Sequence, residues 1–202
     1  MIFEPLPLPG AFRIRLEKLG DDRGHFARTF CARDFTARGL NPVVAQCNTS
    51  FNRTKGTLRG LHWQTGIQSE NKAGHAEDKL VRVTRGAVWD VLVDLRPGPT
   101  YCKWHGEELT AENGVSLYIP KGFAHGFLTL EEHSEVFYQM SEFYEGGSAR
   151  GARFDDPAFG IVWPFDKIQP TDVTEITTGK PVMSPRDEAF PRFDISSPEI
   201  IK

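Results

Sequence analysis

Cysteine is scarce in this chain: three residues, Cys31, Cys47 and Cys102, in 202. The count is odd and no CxxC occurs, which argues against a disulfide framework or a cysteine zinc site. Positive charge is not in excess either. Lys and Arg total 24 against 27 Asp and Glu, a formal net charge of −3, too little to neutralise a long phosphate backbone, so nucleic acid is an unsuitable partner. No apolar run approaches the length of a membrane span. The first residues, Met1 to Pro9, lack the basic start and apolar core of a signal peptide. A reducing cytoplasm is the expected compartment. Long amphipathic helices, internal repeats and low-complexity stretches are missing as well.

What the chain has instead is short alternating segments cut by 19 Gly and 14 Pro. Lys79 to Val83, Ala87 to Leu95, Ser116 to Ile119 and Val136 to Met140 are rich in β-branched and aromatic residues and read as strands. One short helix is expected at Ala32 to Arg38, closed by Gly39. Gly66 to Asp78 is a polar loop, and Lys167 to Pro181 carries no clear period. The pattern predicts an all-β sandwich or barrel. A length of 202 residues suits one domain, 1–202: N-terminal strands and a short helix over 1–50, a core over 51–145, and a packing segment with an irregular tail over 146–202.

Two stretches carry the chemistry: Leu58-Arg59-Gly60-Leu61-His62-Trp63-Gln64 and Pro120-Lys121-Gly122-Phe123-Ala124-His125-Gly126-Phe127. Imidazole exchanges a proton near neutral pH. His62 can act as a base, Lys79 can stabilise an enolate oxygen from inside an apolar pocket, and Tyr138 can return a proton from another strand. A base and an acid on opposite faces of a substrate epimerise it. Strand parity puts Lys79 with Val81 and Val83, Tyr138 with Val136 and Met140, and His62 with Leu58 and Gln64. Arg59 then falls on the other face, and a bulge near Gly60 is needed for both to reach one pocket. The competing reading is a metal site, because Pro120-x-Gly-x-x-His125 resembles a motif of the cupin superfamily of small β-barrels. His62 stands without the His-x-His and glutamate of metal-binding cupins, which leaves too few ligands.

Further motifs give a closer resemblance: Asp22-Arg23-Gly24-x-Phe26, Gln46-x-Asn48-x-Ser50, Lys79-Leu80-Val81-Arg82, Asp90-Val91-x-Val93-Asp94-x-Arg96 and Gly160-Ile161-x-Trp163-Pro164, in order with the two stretches above. The chain resembles the dTDP-4-dehydrorhamnose 3,5-epimerases, cupin-type jelly-roll enzymes of sugar-nucleotide metabolism. The resemblance implies His62 as base, Tyr138 as acid, Lys79 at the ketone oxygen and Asp187 behind His62, with Asp172 the other candidate for that place. It implies substrate contacts from Arg23, Phe26, Gln46, Asn48, Arg59, His125 and Tyr144. It also implies no metal or organic cofactor, a nucleotide-diphosphate sugar as substrate, and a homodimer with exchanged amino-terminal strands. Arg28 stands where the family usually has a nucleotide-contacting Glu, and Arg150 lies in a region that is often acidic there, so a weaker thymidine preference is expected. Inversion of one carbon only, or nucleotide-sugar binding without turnover, are the alternatives.

Overall fold

The computed structural model describes residues 1–66, 74–168, 180–196 and 198. Its strands are β1 (Ile2–Pro5), β2 (Phe12–Arg15), β3 (Leu19–Asp21), β4 (Gly24–Phe26), β5 (Gln46–Asn52), β6 (Leu58–Gln64), β7 (Lys79–Arg85), β8 (Ala87–Asp94), β9 (Trp104–Thr110), β10 (Ser116–Ile119), β11 (Phe123–Thr129), β12 (Ser134–Met140) and β13 (Ala149–Gly151). Two helices are short, α1 (Ala32–Thr36) and α2 (Pro185–Glu188). The four strand segments read from the sequence all form, and two of them extend by a few residues. The expected helix stops at Thr36, two residues early, and the chain turns back through Gly39.

Two sheets carry the fold. One has six strands in the order β1-β2-β10-β7-β12-β5, the other five in the order β13-β6-β11-β8-β9, and β3 and β4 form a separate hairpin. The inner faces meet in a core of Val81, Val83, Val88, Leu92, Leu117, Phe123, Phe127 and Val136. Each such fully buried side chain contributes about 1.5–3 kcal/mol of hydrophobic stabilisation. The outer face of the five-stranded sheet is covered too. Leu58, Leu61, Val91, Val93 and Leu128 pack against Ala152, Phe159 and Trp163 from the C-terminal segment. On the outer face of the six-stranded sheet, α1 lays Phe35 against Ile14, Leu80 and Tyr118. Burial on both faces explains why β8 reads as a nearly unbroken apolar run rather than as a clean alternation.

The decisive irregularity lies between β6 and β11. His62 pairs with His125 and Arg59 with Phe127, so Gly60 and Leu61 oppose Gly126 alone. This is a bulge, with Gly60 at φ +128°. A Cβ on Gly60 would stand 2.7 Å from the Gly126 Cα, so the two backbones can approach only because both residues are glycine. The extra residue turns Arg59 and His62 toward the same wall. The parity reading is corrected at one point: Leu58 does not share the face of His62 but packs on the outer side with Leu61 and Trp63.

Candidate active site

The two sheets enclose a cavity of about 510 Å³ at one end of the sandwich, lined by residues from both inner faces. Register explains the lining. Tyr138 stands between Asn48 and Val81, and Met140 between Gln46 and Lys79, so the inner-face rows of the six-stranded sheet that carry Val81 and Val83 also present Asn48, Ser50, Lys79 and Tyr138. The opposite wall comes from Arg59 and His62 on β6 and from His125 and Phe127 on β11.

Each charged or basic group in this wall has a defined partner. His62 Nε2 lies 2.9 Å from Asp187 Oδ1, while Asp187 Oδ2 accepts from the Gly60 N–H at 3.3 Å. A carboxylate only accepts, so Nε2 carries the hydrogen, and whenever the ring is neutral Nδ1 holds the lone pair. Asp187 is held by α2, whose N-cap Ser184 accepts from the Asp187 N–H. Burial pushes the Asp187 carboxyl up. The hydrogen bond and charge of His62, with the Gly60 N–H and Ser184, outweigh that and hold it below the ordinary value of 3.8. Phe190 meets the His62 ring edge-on at 5.6 Å between centroids.

His125 is buried, with Nε2 at 2.9 Å from Asp90 Oδ2. Its ring meets that of Tyr138 edge-on at 6.0 Å. Burial, then the negative charge of Asp90, raise the Tyr138 phenol far above its ordinary value against the opposing influence of Arg59 and Ser50. The phenol therefore keeps its proton at neutral pH and is available as a donor. Lys79 is 8% exposed and lies 3.0 Å from Glu77. Arg59 donates from Nε to Asn52 Oδ1 at 2.7 Å, leaving the end of its fork toward the cavity. Asn52 is itself fixed by bonds to the Ser50 and Ser134 carbonyls. Past His62, Lys79 and Met140 a smaller space of about 230 Å³ continues, lined by Trp63, Gln64, Tyr144, Arg150 and Arg186 among others. Among the described residues no group of three or more His, Cys, Asp or Glu side chains is placed to hold a metal ion.

The family model of dTDP-4-dehydrorhamnose 3,5-epimerase matches residues 5–194. The chain belongs to that family.

A member from Sinorhizobium fredii is 42% identical over 165 residues, 81% of each chain. The crystal structure of the epimerase from Elizabethkingia anophelis superposes with a TM-score of 0.82 at 35% identity, covering 96% of both chains. That of the Bacillus anthracis enzyme with TDP and pyrophosphate bound superposes at 0.79 and 33% identity, covering 95% of this chain and 99% of that one. The all-β, cupin-type architecture is common to them.

Of the residues that family membership points to, His62, Lys79, Tyr138, Asn48, Arg59 and His125 line the cavity together, and Asp187 stands directly behind His62. Asp172 lies outside the described residues, as does the middle of the Gly66–Asp78 loop. Tyr144 borders the continuation of the cavity, and its N–H donates to Gln46 Oε1 at 3.0 Å. Gln46 does not itself line the main cavity; its amide faces Met140 Sδ at 3.8 Å. Arg23, Phe26 and Arg28 are not brought there within one chain. Arg23 sits in the β3–β4 turn paired with Asp21, and Phe26 is 74% exposed on β4.

Sequence reasoning quoted Asp90 only within a family motif, without a role, and did not single out Glu77 or Asn52; each of the three fixes a cavity side chain. Asp90 had a signal, since it shares its face with Val88 and Leu92 and is an acid at an apolar position. Glu77 had none, because it reads as one more charge in a polar loop.

Proposed function

We propose that this protein epimerises a nucleotide-linked 4-keto-6-deoxyhexose, as a metal-independent dTDP-4-dehydrorhamnose 3,5-epimerase. The observation that carries this reading is the shared cavity of His62, Lys79 and Tyr138, with the imidazole on one sheet and the phenol on the other. In this mechanism the His62 Nδ1 takes the proton from the carbon alpha to the ketone. The C–H electron pair moves into a C=C bond and the carbonyl pair onto oxygen. The Lys79 ammonium stabilises that enolate oxygen. Tyr138 delivers its proton to the other face of the carbon, and solvent restores both groups. Carbons 3 and 5 both flank the ketone at carbon 4, so one set of groups serves both inversions. Asp187 fixes the tautomer of His62 and stabilises its imidazolium form. Arg59 suits a diphosphate, whose oxygens match a guanidinium fork, and Asn48, His125, Gln46 and Tyr144 complete the substrate contacts.

The working unit is a homodimer, with the single cupin-like domain of each chain lending its exposed β3–β4 hairpin to the partner's cavity. That arrangement gives Arg23, Phe26 and Arg28 a ligand to contact. The three cysteines are unpaired, which suits a reducing cytoplasm, and among the described residues no helix is long and apolar enough to cross a membrane. Arg28 and Arg150 replace acids near the nucleotide, so discrimination for thymidine is weaker than in the rest of the family.

Incubation with the dTDP-linked 4-keto sugar in deuterated water tests the reaction. Deuterium at carbons 3 and 5 of the product is expected. Label at one carbon means a single-carbon epimerase, and tight binding without label means a binding protein. Affinities for thymidine, uridine, cytidine and guanosine diphosphates, measured by calorimetry, test the nucleobase claim, and a strong thymidine preference contradicts it.

A further inference from the structure

Lys79 poses a problem that the reaction alone does not solve. An ammonium group with almost no solvent contact is costly unless it is paired. Its four-carbon stem also does not aim it by itself. An enolate is stabilised best by a charge that is already in place when the negative charge develops.

Glu77 answers both needs. It is 6% exposed, with Oε1 at 3.0 Å from Lys79 Nζ. Its other oxygen accepts from Gln64 Nε2 at 2.9 Å. Gln64 is held in turn. Its amide nitrogen also reaches the carbonyls of His75 at 2.9 Å and Phe143 at 3.1 Å, and its Oε1 accepts from the Glu145 N–H at 2.6 Å. The adjacent acid has a different task. Asp78 accepts from Asn41 Nδ2, the Ser141 hydroxyl and the Lys121 N–H. The segment before β7 thus directs one carboxylate to scaffolding and the other to the ammonium.

We infer that Glu77 is a positioning residue for the epimerisation, pairing with the Lys79 ammonium and holding it aimed at the ketone oxygen, with Gln64 locking Glu77 in place. This rests on the epimerase reading. The sugar ketone is neutral when it binds and gains negative charge only as the enolate forms. Loss of Glu77 therefore falls on kcat more than on KM.

The test compares Glu77→Gln and Glu77→Asp with the wild type, by solvent deuterium incorporation into the dTDP-linked 4-keto sugar and by TDP affinity. Glu77→Gln keeps the size but removes the charge and one acceptor. It is expected to lower kcat about 10- to 100-fold, with KM and TDP affinity within about threefold. Glu77→Asp is expected to recover most of the loss. A wild-type kcat in Glu77→Gln overturns the inference. So does a joint collapse of kcat, KM and TDP affinity in both variants, which marks a purely structural role. Absence of exchange in the wild type itself removes the epimerase reading beneath it.

Discussion

Replacing Asp187 with asparagine separates the charge behind His62 from its shape. The aspartate accepts twice, from His62 Nε2 at 2.9 Å and from the Gly60 N–H at 3.3 Å. Asparagine has one acceptor oxygen. If that oxygen serves Gly60, the amide NH₂ faces Nε2, the ring takes its other tautomer, and Nδ1 is no longer basic. If the oxygen serves His62, the amide opposes the Gly60 N–H and leaves a buried donor unpaired. In either case the imidazolium formed in the reaction loses its counter-charge. A hydrogen bond to a charged group is worth about 1.5–3 kcal/mol, or roughly 10- to 150-fold in rate at about 1.4 kcal/mol per tenfold. The tautomer error adds to this; the equivalent change in a serine-protease triad costs about 10⁴. Asp187→Asn is therefore expected to lower kcat by about 10²- to 10⁴-fold, while TDP affinity holds because Arg59 and Asn48 are untouched. Single-turnover deuterium incorporation measures the first and calorimetry the second. A variant within about threefold of the wild-type rate refutes the assignment of Asp187 to His62.

Three other outcomes follow from the same geometry. Tyr138→Phe removes the proton donor and should slow turnover by about 100-fold or more, read by product formation under saturating substrate; full turnover removes Tyr138 from its role. Gly60→Ala places a Cβ 2.7 Å from the Gly126 Cα at a positive φ, and should cost about 1–3 kcal/mol in urea unfolding along with reduced activity; unchanged stability contradicts the bulge. The Asp187 carboxyl lies lower in the folded than in the unfolded state, so its stabilisation is complete above its unfolded value near ~3.9 and is lost as pH falls from there through the folded value. Wild-type stability should accordingly drop more steeply than that of Asp187→Asn below about pH 4, measured by urea unfolding across that range; parallel curves contradict the depressed carboxyl.

The strands were legible because their residue types and alternation are local properties. Lys79 and Tyr138 were placed on the inner face from their apolar neighbours at i+2 and i−2 alone. The bulge at Gly60 was legible from a conflict, since Arg59 and His62 could not share a wall without one. What a bulge does to the residue before it was not, and Leu58 went to the outer face because register depends on how β11 pairs. Asp187 was found by family resemblance, beside Asp172 as the other candidate, and not by physics, because nothing within a span of 125 residues links it to His62. Glu77 and Asn52 stayed hidden for the same reason: a partner across strands or loops leaves no trace in periodicity. The hairpin residues Arg23 and Phe26 carry family motifs yet lie exposed and away from the cavity within one chain, which the proposed dimer would account for.

The most direct measurement is the rate at which His62→Ala incorporates solvent deuterium next to the ketone of the bound sugar, set against the wild type at equal occupancy by nucleotide. If the imidazole is the base, wild-type enzyme incorporates label and His62→Ala does so at no more than the uncatalysed rate while still binding TDP. Incorporation by His62→Ala at the wild-type rate contradicts the account.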